Sequence, residues 1–543
     1  MAASRALQIG EILQETFSYF PPPERKALAR WRRPSCDNTL ASCGRVNRTF
    51  HSFAMDVLWR RMFELWPLLR VLPACQWAND DDDGSKLGLF GRLHPDDLHR
   101  FQHYARKITV LNLYGDSVFD SSILLCLSRA LGDQPLLPRL RILEWKGSSD
   151  LTDYHILHVA SPSLRTLTLE SNAAEPTIIS PASPVAVPCE FIFEALCERI
   201  AAAAPHLEVL SLTALDRAPY YFAPFANCRS LRTVTIYGGI LSASHCVHLQ
   251  TLSSLPHLSK LSVGSFNMVQ DVVPGFQNFD ALRELSVSGG STSIGHVLTA
   301  FASLNAAIRS LKIDIEPSCS LRTVGKAVGL MNIVKSRFSS VLEDFTLDGV
   351  PLGWSGSAAP PLEPIQPLLD VRNLRTIYFV CHSYPSKLSD GDLCMMATAW
   401  PELVSLTLLW QHDRTMGVVT PSLACLSHIS RSCPHLKTLK ISHMTLTFTG
   451  GVDTYPVLSH RLSHLYIEKS ASDPQDICVL DVALFLDRLF PNLDAKYLRD
   501  SCTKVHRVSD AMVAAWIQVC DQVRGFQAVR MQERKRIAES SGR

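Results

Sequence analysis

Residues 433–441 read CPHLKTLKI, and the last six, LKTLKI (436–441), carry the rule that orders most of the chain. Apolar residues stand at positions 1, 4 and 6 of the phrase. Its last three positions alternate apolar, polar, apolar, which is strand periodicity because successive side chains point to opposite faces. The same grammar occurs upstream as ITVLNL (108–113), LRILEW (140–145), LRTLTL (164–169), LEVLSL (207–212), LRTVTI (231–236) and LSKLSV (258–263). It continues as LRELSV (282–287), IRSLKI (308–313), LEDFTL (342–347), LRTIYF (374–379) and LVSLTL (403–408), and closes with LSHLYI (462–467). Successive starts lie 24 to 43 residues apart. A short strand returning at such a period marks stacked units. No unit buries its own leucines alone, so stacking makes one continuous core.

The Cys433-Pro434-His435-Leu436 lead-in has counterparts in Ala204-Pro205-His206-Leu207 and Trp400-Pro401-Glu402-Leu403. Proline disfavours helical geometry in the residue before it, so it ends a helix just ahead of each strand. FIFEALCERIAAAA (191–204) and LACLSHISRS (423–432) have matching helical spacing. This punctuation resembles the leucine-rich repeats, in the cysteine-type form with helical backs found in F-box proteins. The resemblance covers most of 108–498. It implies an α/β solenoid with parallel strands on the concave face and helices on the convex face. Such walls bind other macromolecules, so a binder is expected rather than a catalyst.

The first 66 residues contain no such phrase. Ile9, Ile12, Leu13 and Phe17 share one face of a helix in IGEILQETF (9–17). Pro21-Pro22-Pro23 follows, then Arg25, Lys26, Arg30, Arg32 and Arg33, then LASCGRVNRTFHSFAMDVLWRRM (40–62). An E-I-L-x-x-x-F helix, then L-x-x-C-x-x-V-N-R-x-F, then L-W-R, resembles an F-box of the fungal type. In that family a small all-α module docks on the Skp adaptor of an SCF-type cullin–RING ubiquitin ligase. The resemblance makes Ile12, Leu13, Phe17, Leu40, Val46, Phe50, Leu58 and Trp59 the adaptor-facing or bundle-core candidates. The chain departs from the family where Gln8-Ile9 replaces the usual Leu-Pro, and in its long insertion. A helical cap on the array is the alternative for the same residues.

The expected organisation is an F-box-like module (1–66), a linker with an acidic loop (67–107), the repeat array (108–498) and a C-terminal helical cap with a basic tail (499–543). Met512, Trp516 and Val519 line one face of the cap helix. In the linker, Asn79 to Gly84 superficially suits a calcium loop, but its twelfth position is Phe90 instead of a bidentate Glu. A solvated acidic loop is expected there. Two Pro/Ser/Ala-rich stretches, 171–188 and 349–367, read as loops leaving the array.

Composition bounds the function further. Hydrophobic residues make up 46% and charged residues 19%, as in ordinary folded chains. No apolar run is long enough to span a membrane, and the N-terminus lacks a signal peptide's apolar stretch. The 16 cysteines contain no CxxC pair, so reduced thiols in the cytoplasm or nucleus are expected. The net charge is +2, with basic ends and a negative middle, which is no nucleic-acid footprint. No phosphate loop, HExxH, GxSxG or zinc spacing occurs. Glu343 and Asp344 are adjacent on a strand, so they face opposite ways. His206, His257 and His435 share one turn slot. No catalytic residue, metal or cofactor is expected.

The resemblance therefore implies a substrate-recognition subunit that tethers a protein target for ubiquitin-dependent degradation. The alternative is a non-ligase scaffold with a degenerate F-box cap. An enzyme or nucleotide-driven sensor lacks a stretch of chain free to be its catalytic domain. Target contacts are expected at position 5 and just beyond the phrase. Position 5 is small in Thr168, Ser211, Thr235, Ser262 and Ser286, and larger in Lys312, Tyr378, Lys440 and Tyr466, with Trp410 nearby. Tyr378, Trp410, Lys440 and Tyr466 are the target-binding candidates.

Overall fold

The computed structural model describes residues 10–19, 35–77, 87–114, 119–120, 122–132, 134–147, 156–171, 189–213, 222–237, 249–266, 275–301, 308–315, 324–349, 363–381, 388–410, 420–446, 451–470, 477–503 and 510–541. The basic stretch 25–33, the acidic loop 79–84 and most of the loops 171–188 and 349–367 lie outside them. The chain divides into two compact units, residues 1–240 with 244–258, and residues 241–243 with 259–543. The division falls inside the stretch that the sequence groups as one array.

The first unit starts with helices α1 (Gly10–Ser18), α2 (Ser35–Cys43) and α3 (Arg48–Leu58). Strand β1 (Arg61–Met62), the short helix α4 (Trp66–Leu69), an antiparallel hairpin of β2 (Cys75–Trp77) and β3 (Leu87–Leu89), and helix α5 (Pro95–Ala105) follow. Strands β4 (Val110–Tyr114), β5 (Ile142–Gly147), β6 (Thr166–Ser171), β7 (Val209–Thr213) and β8 (Thr233–Tyr237) then pair side by side in chain order. All are parallel, with β1 alongside β4.

The second unit repeats the plan. Strands β9 (Lys260–Phe266), β10 (Glu284–Gly289), β11 (Ser310–Ile315) and β12 (Asp344–Asp348) are followed by β13 (Thr376–Cys381), β14 (Ser405–Trp410), β15 (Thr438–Met444) and β16 (His464–Ser470). Each pairs in parallel with the next. Helices α6 (Ser122–Leu131), α7 (Ile156–Val159) and α8 (Cys189–Ala203) connect strands of the first unit. Helices α9 (Ser291–Phe301), α10 (Val324–Phe338), α11 (Asp390–Ala399) and α12 (Cys425–Ser432) do so in the second. Parallel neighbours need such crossovers, so the protein is α/β.

The register explains the phrase. Position 4 forms an unbroken buried row in the second unit: Leu261, Leu285, Leu311, Phe345, Ile377, Leu406, Leu439 and Leu465. Position 1 lies just ahead of each strand and is buried in every copy of that unit from Leu282 to Leu462. The carbonyl at position 2 accepts two N–H groups from the next copy. The Arg309 oxygen takes Glu343 N at 2.8 Å and Asp344 N at 2.9 Å, and the Arg375 oxygen takes Val404 N at 2.7 Å and Ser405 N at 3.0 Å. Each copy is therefore latched to its neighbour before the strand ladder begins.

The residue before the proline is buried and non-helical. Trp400 (φ −122, ψ 69) and Cys433 (φ −119, ψ 72) each end a helix in this geometry. Trp400 Nε1 donates to the Leu368 carbonyl at 3.0 Å, and the Cys433 thiol to the Ala397 carbonyl at 3.3 Å. Gly349 follows β12 with φ 77, and a Cβ there would run into the Ile315 carbonyl oxygen.

Two ends of the pattern are not visible in the sequence phrase. Arg60 plays the position-2 role for β1, its carbonyl accepting Thr109 N and Val110 N at 2.9 and 3.0 Å. A truncated copy therefore precedes the first full phrase. After β16, Asp494 N donates to the Ser463 carbonyl at 2.8 Å in the same way, but its carboxylate then accepts Lys496 N and Tyr497 N. That cap starts helix α14 (Ala495–Thr503) where another strand would stand. Helices α13 (Val479–Leu489) and α15 (Asp510–Ser541) flank it. Met512, Trp516 and Val519 are buried, whereas residues 531–540 are exposed.

Candidate functional site

Two surfaces carry the candidates, one in each unit. In the first unit, Leu13, Phe17, Leu40, Ala54 and Val57 form one apolar cluster, with Phe50, Phe53 and Leu58 packed against it. Phe17 meets Phe50 edge-on at 5.8 Å and Phe53 nearly parallel at 6.5 Å. The Asn47 side chain accepts Phe50 N at 2.8 Å and so fixes the start of α3. The structure thus separates the eight adaptor candidates. Leu13, Phe17 and Leu40 are interior, and Phe50 and Leu58 are half-buried against them. Ile12 and Val46 are exposed at 42% and 64%, so they alone of the eight present apolar surface fully outward. Trp59 lies at the end of α3 with its ring 4.7 Å from Tyr104, at the entry to β1.

In the second unit, positions 3, 5 and 7 of each strand lie on the face opposite the buried rows, although Ser262, Ser288, Val380, Thr407 and Ser442 among them are themselves buried. Position 5 forms the row Ser262, Ser286, Lys312, Thr346, Tyr378, Thr407, Lys440, Tyr466. Tyr378, Lys440 and Tyr466 therefore share one line across β13 to β16, each half-buried. Thr407 stands between Tyr378 and Lys440 and is only 4% exposed. Burial, and then the charge of Asp348, pushes the Tyr378 hydroxyl above its ordinary pKa. It stays a neutral donor at pH 7. The backbone of Trp410 pairs with Cys381, while its side chain lies outside those described.

The strands also carry a charge pattern that no expectation from the sequence includes. Lys260 pairs with Glu284 at 2.9 Å and Arg309 with Glu343 at 3.4 Å, both between neighbouring strands. In the first unit Arg165 pairs with Glu208 at 3.6 Å, and Lys146 with Glu170. Only the register says which charges become neighbours, so no single phrase carries the signal.

Burial pushes the Cys75 and Cys228 thiols up to about 11 and Cys433 up to about 12, so none supplies a thiolate at neutral pH. Among the described residues no group of three His, Cys, Asp or Glu side chains is arranged to hold a metal ion. Among them, too, no helix is long and apolar enough to cross a membrane. No protein-family model matches the chain. A search of curated proteins finds no significant match.

Proposed function

We propose that the chain is a substrate-recognition subunit of an SCF-type ubiquitin ligase. In this reading the helices of residues 10–58 are an F-box-like module that docks on a Skp adaptor and, through it, a cullin. The parallel strands form a leucine-rich-repeat solenoid whose open face holds a protein target. The chain makes and breaks no bonds; it raises the effective concentration of target lysines near the charged ubiquitin carrier. The observation that carries the reading is the three-helix cluster. It bears the E-I-L-x-x-x-F and L-x-x-C-x-x-V-N-R-x-F patterns, leads straight into stacked strands, and leaves Ile12 and Val46 uncovered.

Because Leu13 and Phe17 are interior, substituting them would test folding instead of docking. Ile12→Asp with Val46→Asp tests docking. Burying such a side chain contributes roughly 1.5–3 kcal/mol, so losing two lowers adaptor affinity about a hundredfold or more. Adaptor and cullin should co-purify with the wild-type chain and be lost from the variant, with thermal unfolding unchanged. Full recovery of adaptor by the variant, or none by the wild type, refutes the reading. The burial of Leu13, Phe17 and Leu40 among themselves favours one second reading, a scaffold whose helices only cap the strands.

A further inference from the structure

The charges on the strands of the second unit change character at β13. Ahead of it Lys260–Glu284 and Arg309–Glu343 pair across the strand gap, Arg283 and Lys312 form no ion pair among the described residues, and β10 to β12 each carry a carboxylate. The segments 374–381, 403–410 and 436–444, which are β13 to β15 with their lead-ins, contain Arg375, Lys437 and Lys440 and no carboxylate. Among the described residues none of these three cations forms an ion pair. Glu343, the neighbour of Arg375 at position 2, is engaged by Arg309 on its other side. Glu402, in the turn before β14, and Glu468, on β16, pair with none of the three. Arg375 and Lys437 are exposed and Lys440 is half-buried.

The three cations define a footprint. Strands lie about 4.8 Å apart, so β13 and β15 are separated by roughly 10 Å. Arg375 and Lys437 are exposed at position 2, at the lead-in end of the strands, and Lys440 stands at position 5 on β15, roughly 10 Å along the chain from Lys437. Tyr378 and Tyr466 sit in the row with Lys440, with the buried Thr407 between Tyr378 and Lys440. Unanswered cations flanked by tyrosines on a rigid sheet have the composition of a contact that recognises negative charge while burying apolar surface. Cross-strand pairing elsewhere shows that this sheet supports neutralising partners; here the partner is not in the strands.

We infer that Arg375, Lys437 and Lys440, with Tyr378 and Tyr466, form a docking patch for an Asp/Glu-rich polypeptide segment of a partner protein. The inference rests on the reading of the open strand face as a target surface and names the chemistry of what it takes. Carboxylates of the segment replace the missing acidic residues of β13 to β15.

The test uses the full chain and fluorescently labelled poly-L-glutamate as probe, read by anisotropy. Binding is expected, weakening as salt rises because exposed charges are screened. Arg375→Glu, Lys437→Glu and Lys440→Glu together should weaken it about tenfold or more. The control is Arg534→Glu, Lys535→Glu, Arg536→Glu on the exposed end of α15, which changes net charge equally and should leave binding intact. If the triple variant on the sheet fails to fold, Arg375→Gln with Lys437→Gln, both exposed, is read instead. A drop of about threefold or more is then expected. No binding by wild type, equal loss in both triple variants, or tighter binding of single-stranded oligodeoxythymidine than of poly-L-glutamate overturns the inference. None of these measurements contains the adaptor. Probe binding without adaptor capture would leave the patch standing and remove the ligase reading; the converse would remove the patch alone.

Discussion

His460 shows how far one side chain's protonation is dictated by its surroundings. It is 5% exposed, its Nδ1 accepts Leu462 N at 3.1 Å, and its ring meets Phe490 edge-on at 5.4 Å. With Nδ1 an acceptor, Nε2 carries the proton and donates to the Cys433 carbonyl at 2.8 Å. A second proton would sit on Nδ1, facing an N–H. Burial lowers the pKa from its ordinary value near 6.5, outweighing the Cys433 hydrogen bond. The folded chain thus holds this ring neutral where the unfolded chain protonates it. Stability from the neutral ring is complete above about pH 6.5 and is lost as pH falls through that value toward the lowered pKa. His460→Gln should cost about 1–3 kcal/mol at pH 8 through its lost buried hydrogen bonds. The gap in urea-unfolding stability between wild type and variant should narrow by pH 5. A gap that stays constant would mean the ring is not held neutral.

At the scale of the element, the position-4 side chain decides whether a strand stays in the sheet. Leu285 is 1% exposed, with Leu261 and Leu311 beside it in the row. Leu285→Asp removes the side chain's burial and strands a carboxylate, a loss of at least about 3 kcal/mol. Limited proteolysis should open cleavage within 258–315 well before the rest of the second unit. An unchanged unfolding midpoint would show that position 4 is not the keystone. This much was legible from the sequence, because positions 1, 4 and 6 advertise burial in residue type alone. Strand β1 was not. Counted from Trp59 as position 1, its position 6 is Glu64 instead of an apolar residue, and only the Arg60 carbonyl latch reveals it. The site divides the same way. The row through Tyr378, Lys440 and Tyr466 follows from spacing once the strands are stacked in register. The burial of Thr407, the pairing of Lys260 and Arg309, and the interior placement of Leu13 and Phe17 depend on which segments become neighbours, and no local pattern encodes that. Ile12 and Leu13 differ by one residue on the same helix and end on opposite sides of the packing.

For the molecule as a whole, each main-sheet strand within either unit pairs only with its chain neighbours, apart from the skip from β1 to β4 over the small hairpin. Stability is then close to a sum of nearest-neighbour terms. The last full copy is held differently. Gln527 Nε2 donates to the Leu493 carbonyl at 2.7 Å, and Arg530 binds Asp487, pinning α15 beyond the final strand. The position-2 latch also has a mechanical meaning. Under tension between the ends of the second unit, its two hydrogen bonds and the short ladder behind them load one strand at a time. Single-molecule pulling on residues 259–543 should therefore give a train of small yields once α15 detaches. Copies there are 24 to 34 residues long, which at about 3.3–3.6 Å per residue releases roughly 8–12 nm per event. One rupture releasing the entire unit would show that the latches act together. A stepwise record would make the array a graded extensible element, yielding by copies instead of failing at once.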